Sequence, residues 1–174
     1  MSTARRFGTA LLVVVVCVVV DRVTKDLAIK YLVGAAPIEY LGGLVTLQHT
    51  ENLGAFLGMG ARLPASIRTL MGIGVPIVLV MGSAWYVITT PQITVAQLIS
   101  LACLIGGGIG NLIDRIWNNG AVTDFMMFGL GPLHTGILNI ADIAVTFGAL
   151  VFAWLGFRQQ DSSDPPNPVE TTES

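Results

Sequence analysis

The sequence predicts an all-α membrane protein with four transmembrane helices and a small β-hairpin. Hydrophobic residues make up 53 % of the 174-residue chain and charged residues only 11 %, whereas a soluble domain has about 25 % charged residues. From Thr69 to Ile113 the chain carries no Asp, Glu, Lys or Arg. This run is long enough for two membrane helices of about 20 residues each, and Pro91-Gln92 interrupts it near the middle.

The first span is predicted at residues 7–29. Its uncharged part ends at Val20 and is too short to cross a bilayer alone. The charged segment from Asp21 to Lys25 therefore has to lie within the membrane or at its edge. An alternative interpretation is a secretory signal, because two arginines precede an apolar run that ends at Cys17. Apolar residues resume after Asp21 at Leu27, so we predict an uncleaved helix.

Three further spans are predicted at residues 67–88, 95–117 and 137–157. In the loop before the second span, the apolar segments 38–41 and 44–47 flank Gly42-Gly43, which favours a two-residue β-hairpin over a plain surface loop. Residues 158–174 are polar and contain three prolines, which predicts a disordered tail. The chain is therefore divided into one four-span domain, 1–157, and the tail.

Four carboxylates are placed on one side of the membrane by this topology. If the spans cross in alternating directions, one face of the membrane holds the ends of spans 1 and 3 and the starts of spans 2 and 4. The connection between spans 3 and 4 lies on that same face. The carboxylates at these places are Asp21, Asp114, Asp124 and Asp142. Ionisable groups at such depths are costly and indicate a functional site. Lys and Arg are evenly divided between the two faces, so charge alone leaves the orientation open.

Asp124 and Asp142 are the candidate catalytic pair. Two carboxylates held close together do not both ionise easily, and such a pair can activate a water and protonate a leaving amine, as in aspartic proteases. A plain polar residue in the loop after span 3 is the alternative interpretation of Asp124. Asp142 has no basic residue near it in sequence, so a purely structural role is harder to assign.

Other polar residues have structural interpretations. Asp114 and Arg115 are adjacent and could form an ion pair, while Asp21 and Lys25, at positions i and i+4, could form a helix-end salt bridge. Asn111 and Asn139 each precede an aspartate by three residues and could orient groups near the site.

Several classes of ligand and chemistry are not indicated. The glycines from Gly106 to Gly110 lack a following Lys-Ser/Thr and lie in an apolar span, so they favour close helix packing over a phosphate loop. We predict no metal or other cofactor, because His49 and His134 have no partners at ligand spacing. The net charge of −2 gives no electrostatic case for nucleic acid.

The main alternative function is a small proton-coupled membrane transporter, which would also carry intramembrane carboxylates. A transporter would more naturally place them near the midplane and show repeats between its halves, and the sequence shows neither feature. Among proteases, the H-E-x-x-H motif of metalloproteases is absent.

Five short pieces follow one another along the chain: Asp21-Arg-Val-Thr-Lys25, Asn52-Leu-Gly-Ala-Phe56, Gly110-Asn-Leu-Ile-Asp-Arg115, Val122-Thr-Asp-Phe125 and Asn139-Ile-Ala-Asp142. In these pieces and in their order the chain resembles lipoprotein signal peptidase, the type II bacterial signal peptidase. The resemblance extends over the region from about Phe7 to Phe157.

This resemblance implies a membrane aspartic endopeptidase that removes the signal peptide of a diacylglyceryl-modified prolipoprotein by cutting before the lipid-bearing cysteine. It implies Asp124 and Asp142 as the catalytic pair. It also implies a set of residues that support the site: Asp21, Lys25, Asn52, Gly54, Asn111, Asp114, Arg115 and Asn139. The family further implies a multi-pass protein of the bacterial cytoplasmic membrane among phospholipids, with cytoplasmic termini and a site under an extracytoplasmic β-cradle. We expect a monomer.

Overall fold

Four helices long and apolar enough to cross a membrane dominate the described residues, 1–54, 64–130 and 132–161 of a computed structural model. Helix α1 is Thr3–Leu32, and the second span consists of α2 (Ala65–Thr69), a π-helical turn (Leu70–Gly74) and α3 (Val75–Thr89). Helix α4 is Val95–Trp117 and α5 is Ile140–Asp161. The predicted count of four spans is confirmed.

The strands form one antiparallel sheet. They are β1 (Ile38–Tyr40), β2 (Val45–Asn52), β3 (Val122–Leu130) and β4 (Leu133–His134), and their order in the sheet is the order in the chain.

Helix α4 is the centre of the bundle and packs against α1, α3 and α5. In its most apolar stretch 56 % of the residues are buried, against 11 % in the second and fourth spans and 6 % in the first. The side chains of those outer helices are apolar yet exposed, for example Leu11, Val78 and Phe147. Such a surface fits hydrocarbon rather than water, so the bundle presents its apolar faces to lipid.

Consecutive glycines of α4 let three different helices approach it. A side chain on Gly106 would collide with Cys17 in α1, one on Gly107 with the backbone carbonyl of Ala141 in α5, and one on Gly108 with Val80 in α3. The predicted role in close helix packing is confirmed, and it extends around the helix because successive residues face different directions.

The hairpin between the first two spans is confirmed, with a longer loop than predicted. Strands β1 and β2 pair from Ile38 opposite Leu47 to Tyr40 opposite Val45, so four residues, 41–44, connect them instead of two. Leu41, Gly42 and Gly43 all have positive φ, and the two glycines adopt it without the steric cost that a side chain carries.

Strand β3, like the short β4, is an element that the sequence interpretation missed, because both lie in the connection predicted between spans 3 and 4. Strand β3 pairs with β2 along most of its length, and Asp124 lies opposite Thr50. The register shifts between Leu47 and Thr50, which is a β-bulge of the kind often found beside functional sites. On its other side β3 holds Leu138, whose carbonyl accepts from the amides of Phe125 and Met126.

The outer limits of the spans differ modestly from the prediction. Helix α1 extends beyond the predicted 7–29 at both ends, so Asp21 lies inside the helix rather than at its end. Helix α5 begins at Ile140 and reaches Asp161, into the predicted tail. Residues 162–174 lie outside the described residues, and so do Ala55 and Phe56 of the second family motif.

Candidate active site

Asp124 is buried on β3, with only 1 % of its surface exposed. Its two carboxylate oxygens accept from two amide side chains. Asn52 Nδ2 donates to Oδ2 over 2.8 Å, and Asn139 Nδ2 donates to Oδ1 over 2.6 Å. Asn52 ends β2, and its own Oδ1 accepts from the amide of Gly54 over 2.9 Å. The sheet therefore fixes both the position and the orientation of this carboxylate.

Asp142 is held by the N-terminus of its own helix. Asn139 precedes α5, and its Oδ1 accepts from the Asp142 amide over 2.9 Å, while Asp142 Oδ2 accepts from the Asn139 amide over 3.1 Å. This reciprocal pair is a capping box with Asp in the place where Glu or Gln is usual. Asn111 Nδ2 donates to the other oxygen, Oδ1, over 2.8 Å. Asn139 is therefore the cap of α5, and its contacts orient the Asp142 carboxylate.

Asn139 connects the two carboxylates, since it bonds to both of them. It is completely buried, and its Nδ2 also lies 3.1 Å from Asn111 Oδ1. Asp124 and Asp142 line one cavity of about 660 Å³ together with Asn52, Asn111 and Arg115. The structure thus brings together the two aspartates that the sequence nominated.

Burial raises the pKa of Asp124 from its ordinary value of 3.8 to about 6, and the neighbouring Asp142 carboxylate adds to the increase. Hydrogen bonds from Asn52 and Asn139 and the charge of Lys25 act in the opposite direction without cancelling it. A carboxyl group with a pKa near 6 exchanges its proton readily at neutral pH, which suits a general acid or base.

A buried charge network lies behind the pair. Lys25 Nζ is 2.9 Å from Asp21 Oδ2, 2.8 Å from Asp114 Oδ2 and 3.0 Å from Asn111 Oδ1. Arg22 also pairs with Asp114. Buried charges need such partners, because an isolated one is strongly destabilising. The predicted Asp21–Lys25 bridge is confirmed, but it lies within α1, whereas the prediction put it at the helix end.

The same network reaches the backbone that carries the pair. Asp21 Oδ1 accepts from the Ala141 amide over 3.1 Å, in the first turn of α5, and Asp114 Oδ2 accepts from the Thr123 amide over 3.0 Å, directly before Asp124. A side chain on Gly110 would lie 2.6 Å from Asp21 Oδ2. The charges of α1 and α4 therefore position both segments that carry the candidate catalytic residues.

The predicted ion pair between Asp114 and Arg115 does not form. Adjacent residues on a helix point in different directions, and the salt bridges to Asp114 come from Arg22 and Lys25. Arg115 is half-buried and lines the cavity, where its Nη1 donates to the Asn111 carbonyl over 3.4 Å.

Two contributors were missed by the sequence interpretation. Arg22 was seen only as part of a motif, although an Arg beside Asp21 in an apolar helix is itself an unusual charge that needs a partner. Strand β3 had a weak local signal, since residues 122–128 combine β-branched and aromatic residues.

No group of three or more His, Cys, Asp or Glu side chains able to hold a metal ion occurs in the described ranges.

The fold and this geometry define a class: a multi-pass membrane protein with a pair of carboxylates on one cavity at one end of a four-helix bundle. The chain belongs to the signal peptidase (SPase) II family, whose sequence model matches residues 13–158. Since this is a family of proteases, the transporter alternative is not supported.

Curated relatives agree with this assignment, and a solved structure has the same fold. A lipoprotein signal peptidase of Sulfurihydrogenibium sp. is 39 % identical over 138 residues, covering 79 % of this chain and 83 % of the relative. One of Pelodictyon phaeoclathratiforme is 35 % identical, covering 79 % and 83 %. A solved bacterial membrane enzyme at 23 % identity has a TM-score of 0.76 and covers 92 % of this chain and 94 % of its own, which shows a shared fold.

Proposed function

We propose that this protein removes the signal peptide from diacylglyceryl-modified prolipoproteins, with Asp124 and Asp142 as the catalytic residues. One observation carries the assignment of the residues: Asn139 binds both carboxylates on a common cavity, so that the pair is fixed in one orientation. The substrate class follows from the family and from the lipoprotein signal peptidases that the chain is similar to.

The mechanism needs only these two side chains and a water molecule. One carboxylate, ionised, takes a proton from water, and the other, protonated, donates a hydrogen bond to the scissile carbonyl. Water attacks the carbonyl carbon, and the tetrahedral intermediate collapses as a proton passes to the leaving amine. The raised pKa of Asp124 favours this exchange of a single proton within the pair.

The cavity suits a lipid-bearing substrate because its walls change character. The carboxylates, Asn52, Asn111 and Arg115 are polar lining residues, while another part of the wall consists of apolar side chains of α3 and α5, among them Val75, Leu79, Phe147 and Leu150. Acyl chains would lie against the apolar wall, and the peptide would lie against the polar residues.

The remaining features of the proposal concern the setting. We place the protein in the bacterial cytoplasmic membrane among phospholipids, as a monomer, with both termini in the cytoplasm and the site at the outer face. The even number of spans supports termini on one side. The site residues of α1 lie in the half of that helix that leads to the sheet, and those of α5 lie at its start, which supports a site at the opposite face.

The test is cleavage of a lipidated prolipoprotein by the purified protein. We expect Asp124→Asn and Asp142→Asn each to reduce kcat/KM by about 10²- to 10⁴-fold, because the amide neither accepts nor supplies the required proton. The readout is release of signal peptide on a gel.

Asp26→Asn is the matched control, since Asp26 is an exposed carboxylate on α1, and it should cleave at the wild-type rate. Melting in detergent checks that all variants are folded. Retained cleavage by Asp124→Asn would transfer the role to Asp114, and absence of cleavage by the wild-type protein would contradict the proposed substrate.

A further inference from the structure

Gly72 is buried in the second span, although the two residues before it are exposed. It lies in the π-helical turn Leu70–Gly74, where Leu70 is 64 % exposed and Met71 39 % exposed. Helix α4 contacts this turn. Turns of π-helix inside α-helices occur frequently at functional sites, which directs attention to what Gly72 touches.

The neighbour of Gly72 is Arg115. A methyl group placed on Gly72 would lie 2.9 Å from Arg115 Nε, 3.4 Å from its Cδ and 3.7 Å from its Cζ. The first distance is too short for a carbon that does not bond, so any side chain at this position must displace the guanidinium. Gly82, on the same span, has nothing within 4 Å of such a methyl group.

Arg115 has hydrogen-bonding capacity left over. A guanidinium has five N–H donors, and within the described ranges the one hydrogen bond it makes is from Nη1 to the Asn111 carbonyl at 3.4 Å. The carboxylates around it are occupied by other groups: Asp114 by Arg22 and Lys25, and the candidate catalytic pair by amides. Arg115 lines the cavity with that pair, so its free donors are available to a bound molecule.

We propose that Gly72 is a positioning residue: its missing side chain gives Arg115 the room to lie against the second span and to donate a hydrogen bond to a carbonyl oxygen of the substrate. This inference rests on the proposed function. A carbonyl is the expected acceptor, because the substrate offers peptide and ester carbonyls at the level of the cavity and a hydrogen bond from a charged donor to either is favourable.

The experiment compares Gly72→Ala, Gly82→Ala, Arg115→Ala and the double variant Gly72→Ala/Arg115→Ala. We expect Gly72→Ala and Arg115→Ala each to lower kcat/KM by roughly 10- to 100-fold, the value of one charged hydrogen bond. Gly82→Ala should stay within about twofold of wild type, as expected of an open surface position. In the Arg115→Ala background, Gly72→Ala should change kcat/KM by less than about twofold, because there is no guanidinium left to displace.

Two synthetic lipopeptides identify the carbonyl. One carries the ester-linked diacylglyceryl group and the other an ether-linked analogue that lacks the ester carbonyls. If the penalty of Gly72→Ala disappears with the ether substrate, Arg115 binds an ester carbonyl, and the penalty should then lie in KM. If the penalty persists, Arg115 binds a peptide carbonyl, and a change in kcat would place that contact in the transition state.

Two results would overturn the inference. The first is equal activity of Gly72→Ala and Gly82→Ala. The second is a penalty of Gly72→Ala that is undiminished without Arg115. If Gly72→Ala unfolds, melting temperatures replace the activity measurements. The double variant should then melt at the same temperature as Arg115→Ala. A double variant as unstable as Gly72→Ala would contradict the proposed contact. Lack of cleavage by both wild type and Gly82→Ala would count against the proposed function.

Discussion

Asn139 combines two tasks in one residue. Its side chain caps α5 and donates to Asp124, and its backbone amide donates to Asp142. A helix cap contributes about 1 kcal/mol to stability. Here the cap also sets the distance between the two carboxylates, so the energy that starts the helix and the geometry of the candidate catalytic pair depend on the same contacts.

The raised pKa of Asp124 predicts how stability depends on pH. The folded protein binds the Asp124 proton more tightly than the unfolded chain between pH 3.8 and about 6. The stabilisation that the bound proton provides is therefore lost as the pH rises through that window, and the loss reaches about 3 kcal/mol at pH 7. The asparagine in Asp124→Asn cannot ionise. The free energy of unfolding of this variant should therefore rise relative to the wild-type value from pH 4 to pH 7, as measured by melting in detergent.

The exposed Asp26→Asn variant provides the reference for that comparison, and its melting curve should follow the wild-type curve across the range. A constant difference between Asp124→Asn and wild type at every pH would show that burial does not penalise the Asp124 charge.

Among the elements, β3 has the largest effect on the site. It binds β2 through a bulged ladder on one side and Leu138 on the other. Asp124 on the strand is thereby placed between Asn52 and Asn139. A loop at this point would leave the position of the carboxylate to its own flexibility, whereas paired strands hold it to the precision of the sheet.

The far end of the bundle is held by a side chain that caps a neighbouring helix. Arg6 of α1 donates from Nη1 to the Thr90 carbonyl over 3.1 Å and from Nη2 to the Ile88 carbonyl over 3.4 Å, at the C-terminal end of α3. Carbonyls at a helix end lack intrahelical partners, and a cation there is favourable. The arginines near the N-terminus therefore differ in role, since Arg6 is buried and Arg5 is exposed.

This difference predicts the outcome of two substitutions. Arg6→Ala should lower the free energy of unfolding by about 1.5–3 kcal/mol, the value of hydrogen bonds from a charged donor, while Arg5→Ala should change it by less than about 0.5 kcal/mol. Thermal unfolding in detergent measures both. Cleavage should survive in each folded variant because this end lies opposite the candidate site, and equal stabilities of the two variants would contradict the capping role.

At the scale of the whole molecule, threading four spans brings charges from α1, α4 and α5 to one end of the bundle. The network of Asp21, Lys25 and Asp114 ties these helices together. Burying it is costly unless every charge is paired, so the network also opposes alternative packings of the helices.

The proposed orientation is testable by labelling. In a background with Cys17→Ser and Cys103→Ser, a thiol introduced by Asn119→Cys lies in the exposed turn after α4, and one introduced by Ser2→Cys precedes α1. A membrane-impermeant maleimide added to intact spheroplasts should label the first and not the second. Lysed membranes, in which both should react, provide the control. The reverse pattern would place the site in the cytoplasm.

The sequence by itself determined the number of spans, their approximate limits and the fact that the four carboxylates share one side of the membrane. These follow from hydrophobicity, length and chain connectivity, which are local or additive properties and survive small errors in boundaries. The resemblance of short motifs then nominated Asp124 and Asp142.

Only the tertiary structure decided how those residues are held. Asp124 lies on a strand rather than in a loop, Asn139 caps α5, and Asp114 binds Arg22 and Lys25 rather than Arg115. Each of these contacts joins residues whose meeting depends on strand register or on the rotation of a helix about its axis. A shift of one residue in either would redirect the side chain, so no local pattern in the sequence could specify the partner.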